Sequence, residues 1–251
     1  KFSHNYTGNI TLISDDAPVA SAITKSVILS KPTYMLPPRK ANGTFTLFYS
    51  MNGIRLASSS GTGFVVRENQ FENVLYGINH FYDGTLKVKA AKNTFRNNYF
   101  AAINTFGGIS QIDTNTIYLP TFTPSTTQFN NKAAQTANTP TVNTTSYGII
   151  TEIGNRKVRG NTIIGTNGKQ IGILSRLAVL EISSNSIKKT QNGIRVYHNP
   201  SPGQSIFNMW NNALDSNQIG LSIPNSAFGV QPTADVRCNS FLRAGTTNVN
   251  R

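Results

Sequence analysis

Apolar and polar positions along this chain fall into a repeat that is clearest at Val158-Arg159-Gly160-Asn161-Thr162-Ile163. Aligned on its Asn, the repeat recurs at Asn69, Asn93, Asn115, Asn161, Asn185, Asn212 and Asn239. Three residues before each Asn stands Val66, Ala90, Ile112, Val158, Ile182, Met209 or Val236; two after it stands Phe71, Phe95, Ile117, Ile163, Ile187, Leu214 or Phe241. Both columns are apolar throughout. A second signal, a Gly or Ala followed by an aliphatic residue, returns in each unit at Gly77-Ile78, Ala102-Ile103, Gly148-Ile149, Gly172-Ile173, Gly193-Ile194 and Gly220-Leu221. The Asn anchors are 24, 22, 46, 24, 27 and 27 residues apart. The step of 46 is either two ordinary units or one carrying a long insertion. A fixed period in this range means stacked units.

An apolar residue with polar neighbours on both sides describes a strand with one buried face, because successive side chains of a strand point opposite ways. The Asn then turns the chain, since Asn tolerates left-handed backbone angles and its amide donates and accepts at once. Coils stacked roughly 4.8 Å apart would bring these amides into a ladder along the axis. The expected fold is all-β: a single-domain right-handed parallel β-helix (β-solenoid) of about eight coils of 22–27 residues. Leucine-rich repeats also carry Asn ladders, but they need several Leu per repeat, and these units have few. Residues 1–60 repeat poorly and are expected to form irregular N-terminal coils, with strands at Ile10-Thr11-Leu12 and Thr44-Phe45-Thr46-Leu47 and a Pro-rich turn region between them. Residues 61–251 are expected to form regular coils, interrupted at 118–147 by a Thr/Asn/Pro-rich loop.

The units Glu181-Ile182-Ser183-Ser184-Asn185-Ser186-Ile187 with Asn192-Gly193-Ile194, and Val236-Arg237-Cys238-Asn239-Ser240-Phe241, resemble those of right-handed parallel β-helix proteins of the pectate-lyase-like superfamily. They are also similar to secreted repeat proteins of Bacteroidota exported by type IX secretion. The resemblance covers residues 61–251 and rests on structural positions, so it implies a fold and an extracellular or cell-surface setting more than an activity. No sorting domain of that secretion route is present. The chain starts at Lys1 without an initiator Met or leader and ends without an apolar cap. It reads as a processed or excerpted piece, with more protein expected to follow.

Composition narrows the chemistry. Lys and Arg number 23 against 10 acids, a net charge of +13, while charged residues are only 13 % of the chain and 30 residues are Asn. Anionic partners are favoured: acidic polysaccharides, cell-surface glycans, or secretion and surface-assembly proteins. The basic residues are spread over nearly every coil rather than concentrated, so nucleic acid is not expected. No apolar run is long enough to span a membrane. A calcium-dependent lyase or a glycoside hydrolase needs converging carboxylates, and no two acids share an outward column on adjacent coils. The single Cys and dispersed His4, His80 and His198 give no metal site, and no phosphate loop is present, so no cofactor is expected.

Function would reside on outward columns. Three after the second-strand aliphatic stand Phe81, Phe106, Glu152, Arg176 and Tyr197; Arg195 stands one after. If these rows point outward, rings and guanidinium groups form a platform for stacking on sugars and pairing with their carboxylates; a twist of one residue would make the same aromatics core. Before the Asn, Asp113 with Arg159 and Lys157 with Glu181 are expected to pair across neighbouring coils. The leading reading is a non-catalytic exported surface scaffold or adhesin, its lateral face a candidate contact for anionic glycans. The alternative is a polysaccharide lyase or glycoside hydrolase acting on acidic polysaccharide. A lyase base would come from Lys89, Arg159 or Arg176.

Overall fold

The computed structural model describes residues 10–13, 21–24, 27–29, 33–34, 47–48, 52–57, 63–72, 74, 76–81, 87–98, 100–120, 145–197, 206–224, 233–243 and 247–250. These residues form an all-β parallel solenoid. Each coil contributes three strands, and equivalent strands of successive coils pair in parallel to build three faces. The first face carries the strands that lead into each Asn: Phe64–Arg67, Lys87–Ala91, Ile109–Asp113, the second half of Ser146–Arg159, the second half of Gln170–Ser183, Ile206–Trp210 and Thr233–Arg237. The second face, an eight-stranded sheet, carries the short strands that follow: Gln70–Glu72, Thr94–Arg96, Thr116–Tyr118, Thr162–Ile164, Ser186–Lys188, Ala213–Asp215 and Ser240–Leu242, with Val27–Leu29 at its N-terminal edge. The third face holds the Gly-aliphatic strands, among them Asn52–Ala57, Tyr76–Phe81, Ala101–Phe106, Asn192–Tyr197 and Ile219–Ser222.

One inward column from each face fills the interior. Val66, Ala90, Ile112, Val158, Ile182 and Met209 come from the first; Phe71, Phe95, Ile117, Ile163, Ile187 and Leu214 from the second; Ile54, Ile78, Ile103, Ile149, Ile173, Ile194 and Leu221 from the third. All are fully or almost fully buried. Phe71 and Phe95 stack with ring centroids 4.7 Å apart. The glycines before the third-face aliphatics are there for space: a Cβ on Gly172 would lie 2.5 Å from both the Gly193 carbonyl oxygen and Ile187 Cγ2. Val236 departs from its column and is 40 % exposed.

The Asn corners form one continuous ladder. The backbone N–H and Nδ2 of Asn69, Asn93, Asn115, Asn161, Asn185 and Asn212 each donate to Oδ1 of the Asn on the following coil, at 2.9–3.0 Å. The remaining Nδ2 proton goes to backbone carbonyls; Asn161 Nδ2, for example, donates to Ile112 O at 2.9 Å. Because Asn115 bonds Asn161 directly, the 46-residue step is one coil with an insertion. Of that insertion, residues 121–144 lie outside the described residues.

One sequence expectation is corrected. The left-handed residue is not the Asn but the one before it: Glu68, Lys92, Thr114, Gly160, Ser184, Asn211 and Cys238 have φ between 52° and 60°. The Asn itself is spent inward on the ladder, so the outward residue ahead of it takes the turn. At the N-terminus, Ile10–Ile13 pairs with the third face, as its alternation suggested, but Ser21–Thr24 and Val27–Leu29 also join the first and second faces. Val27 pairs with Gln70, and the two residues before Val27 in the sequence, Lys25 and Ser26, include no Asn, so the repeat signature did not reveal this coil. Of the second expected N-terminal strand, Leu47–Phe48 is described and pairs antiparallel with Thr33–Tyr34, while residues 44–46 lie outside the described residues.

Candidate functional site

The third-face candidates come together. Phe81, Phe106, Glu152, Arg176 and Tyr197 occupy one column on consecutive coils, each in register with the next. The column faces outward: its neighbours His80, Thr105, Thr151, Ser175 and Val196 are the buried ones, while Phe106, Glu152 and Tyr197 are half-buried and Arg176 is exposed. The side chain of Phe81 lies outside the described residues. Arg176 Nη1 donates to Glu152 Oε1 at 3.0 Å. The guanidinium carbons of Arg195 and Arg176 lie 4.7 Å and 5.6 Å from the Tyr197 ring centroid, the geometry of a cation–π contact. These cations are therefore engaged within the protein, and a ligand carboxylate reaching Arg176 would share its guanidinium with Glu152.

Beside that column lies an aromatic group that sequence reasoning missed. Phe100 packs between Tyr76 and Tyr147 at centroid distances of 5.0 Å and 5.4 Å. Burial, with the nearby Glu152 and Tyr147, pushes the Tyr76 hydroxyl up to about 12. Ile150 and Leu174 occupy the outward column one after the aliphatic and are nevertheless buried, so this face is not an open flat surface over their coils. Their alternation with core Ile149 and Ile173 was the available signal.

The first face has an open trough. One groove of about 190 Å³ is lined by Lys87, Lys89, Ile109 and Gln111 among others. A second, of about 530 Å³, is lined by Ile109, Gln111, Lys157, Glu181 and Asn208 among others. The two meet at Ile109 and Gln111 and run along the axis. Here the expected ion pairs change partners. Lys157 is in register with Glu181 and Asp113 with Arg159, yet Arg159 Nε reaches Glu181 Oε1 at 2.6 Å, and Gln111 Nε2 donates to Asp113 Oδ2. A guanidinium is long enough to choose the diagonal carboxylate, which leaves Lys157 without an acidic partner among the described residues. Lys87 and Lys89 have none either, and all three are exposed. Of the candidate bases, Arg159 and Arg176 are ion-paired, and Lys89, in the trough, has no acidic partner among the described residues.

The corner joining the third face to the first holds a polar cluster inside the wall. Arg156 is 2 % exposed and occupies an inward position. Its guanidinium donates to the carbonyls of Gly107, Gly108, Glu152, Ile153 and Asn155, at 2.7 Å for Gly108. Burial lowers it to about 10. His80, fully buried, is held neutral: burial, then the charge of Arg156, bring it down to about 4. His80 is thus a packed histidine. His4 and His198 lie outside the described residues, and no group of His, Cys, Asp or Glu able to hold a metal occurs among the described ones. No described helix is long and apolar enough to cross a membrane.

No protein-family model, no curated protein and no solved structure matches this chain.

Proposed function

We propose that this protein is a non-catalytic scaffold or adhesin, exported to the cell surface or beyond, that contacts anionic glycans through its lateral faces. The observation that carries this reading is the first-face trough, where Lys87, Lys89 and Lys157 present ammonium groups with no acidic partner among the described residues around Ile109 and Gln111. Free ammonium groups beside an amide suit carboxylates and hydroxyls together. The Tyr197–Arg176–Arg195 platform supplies a second contact of the stacking kind. The reading sets the chain beside right-handed, pectate-lyase-like β-helix proteins and Bacteroidota repeat proteins exported by type IX secretion, on the strength of the Asn-centred repeats. Surface-assembly proteins are further candidate partners.

The same trough gives the alternative, a polysaccharide lyase, one specific support: Lys89 is an unpaired base candidate in a groove. One experiment separates the two. The protein is incubated with pectate, alginate and chondroitin while binding and the absorbance of unsaturated products are followed. Binding without product is expected; product formation that Lys89→Ala abolishes would establish the lyase instead.

A further inference from the structure

Along the middle of the trough two lysines are separated by one neutral coil. At the position four before each Asn, successive coils present Lys89, Gln111, Lys157, Glu181 and Asn208, each in register with the next. Lys89 and Lys157 have no acidic partner among the described residues. Between them, Gln111 is neutral and is tied to Asp113, whose carboxylate makes that rung unfavourable for an anion. Beyond Lys157, the Glu181 carboxylate is neutralised by Arg159. The cationic rungs are therefore two coils apart, roughly 10 Å at the usual strand spacing, with a rung hostile to negative charge in between. An extended linear polysaccharide advances by about one pyranose ring per coil step. An extended peptide, whose same-side residues recur every 6.8 Å or so, does not keep this register.

We infer that the trough is matched to a linear polysaccharide bearing its carboxylate on every second sugar, a uronate alternating with a neutral ring, rather than to one charged at every sugar. The inference rests on the glycan-binding reading and adds the spacing of the charges. Lys89 and Lys157 receive consecutive uronates, and Gln111 with Ile109 faces the uncharged ring between them. Lys87, two residues from Lys89 on the same strand, faces the same end of the trough.

The test is calorimetric titration of the intact protein at moderate ionic strength with hyaluronan and unsulfated chondroitin, which alternate, and with polygalacturonate, which does not, all at equal uronate concentration. The alternating polymers should bind about tenfold more tightly, although bulk attraction alone would favour the denser polyanion. Lys89→Ala and Lys157→Ala should each weaken that binding about tenfold. Gln111→Lys, which fills the neutral rung with a cation, should shift preference toward polygalacturonate. These side chains point out of the wall, and unchanged melting and circular dichroism would show the variants folded. Polygalacturonate binding as tightly as the alternating polymers, or a Gln111→Lys protein with unaltered preference, overturns the spacing while leaving glycan binding intact. No binding to any of the three polymers overturns both.

Discussion

At the scale of single residues, the corner Asn is the position with least freedom. In Asn161 the Oδ1 accepts two hydrogen bonds and the Nδ2 donates to three acceptors, one proton being shared between two carbonyls. Asn161→Ala would strand the two donors of Asn115 and remove donors to Ile112 O and Arg159 O. At about 1–3 kcal/mol for each buried group left unpaired, the loss should be at least about 3 kcal/mol, read from urea unfolding. The residue before it behaves oppositely. Thr114 holds φ at 52° although it is β-branched, so Thr114→Gly should raise stability by about 1 kcal/mol. His80 gives a pH dependence. Its folded value of about 4 lies below the ordinary 6.5, so below pH 6.5 the unfolded chain takes up a proton that the folded one refuses. Stability is complete above that pH and falls between 6.5 and 4, by of order 3 kcal/mol. His80→Leu, which copies Leu56 one coil away in the same column, should flatten the melting temperature across that window.

At the scale of strands and corners, the inward columns were legible because burial on one face imposes a period of two, which composition cannot imitate. The ladder was legible because an Asn recurring between two apolar columns has few other uses. Arg156 was not. It occupies the inward column that holds Phe64, Val88, Leu180 and Phe207 on other coils, and nothing in its neighbours signals that a turn at Gly107-Gly108 will need its carbonyls bound. The partner of Arg159 was equally hidden, since register fixes neighbouring Cα positions and not the reach of a guanidinium. Two measurements follow at this scale. Arg156→Met should cost several kcal/mol by leaving carbonyls unpaired in the wall, and hydrogen exchange should quicken at 107–109 and 152–156 first. The exposed Glu152–Arg176 pair should contribute under about 1 kcal/mol in a double-mutant cycle, because solvent screens it.

For the whole molecule, coils touch only their neighbours, so disturbance should stay local. The Asn161→Ala lesion should therefore speed amide exchange in the coils around Asn115 and Asn185 while leaving Asn69 and Asn93 protected. The trough depends on the same stacking: Lys89 and Lys157 belong to different coils, and the strand pairing through Gln111 together with the ladder fixes their separation. What sequence could not supply at this scale was which face stays open. The third face looked like the platform, yet Ile150 and Leu174 are buried there, and the open groove is on the first.

The ladder also has a direction. Every amide-to-amide bond of the ladder donates toward the C-terminal coil and accepts from the N-terminal one, without reversal from Asn69 to Asn239. Amide dipoles aligned head to tail add, as they do along an α-helix, so the row is an electrical arrow lodged inside the wall. Its two ends are unlike, so a polysaccharide laid along the solenoid, as proposed, would meet a different field at its reducing and non-reducing termini.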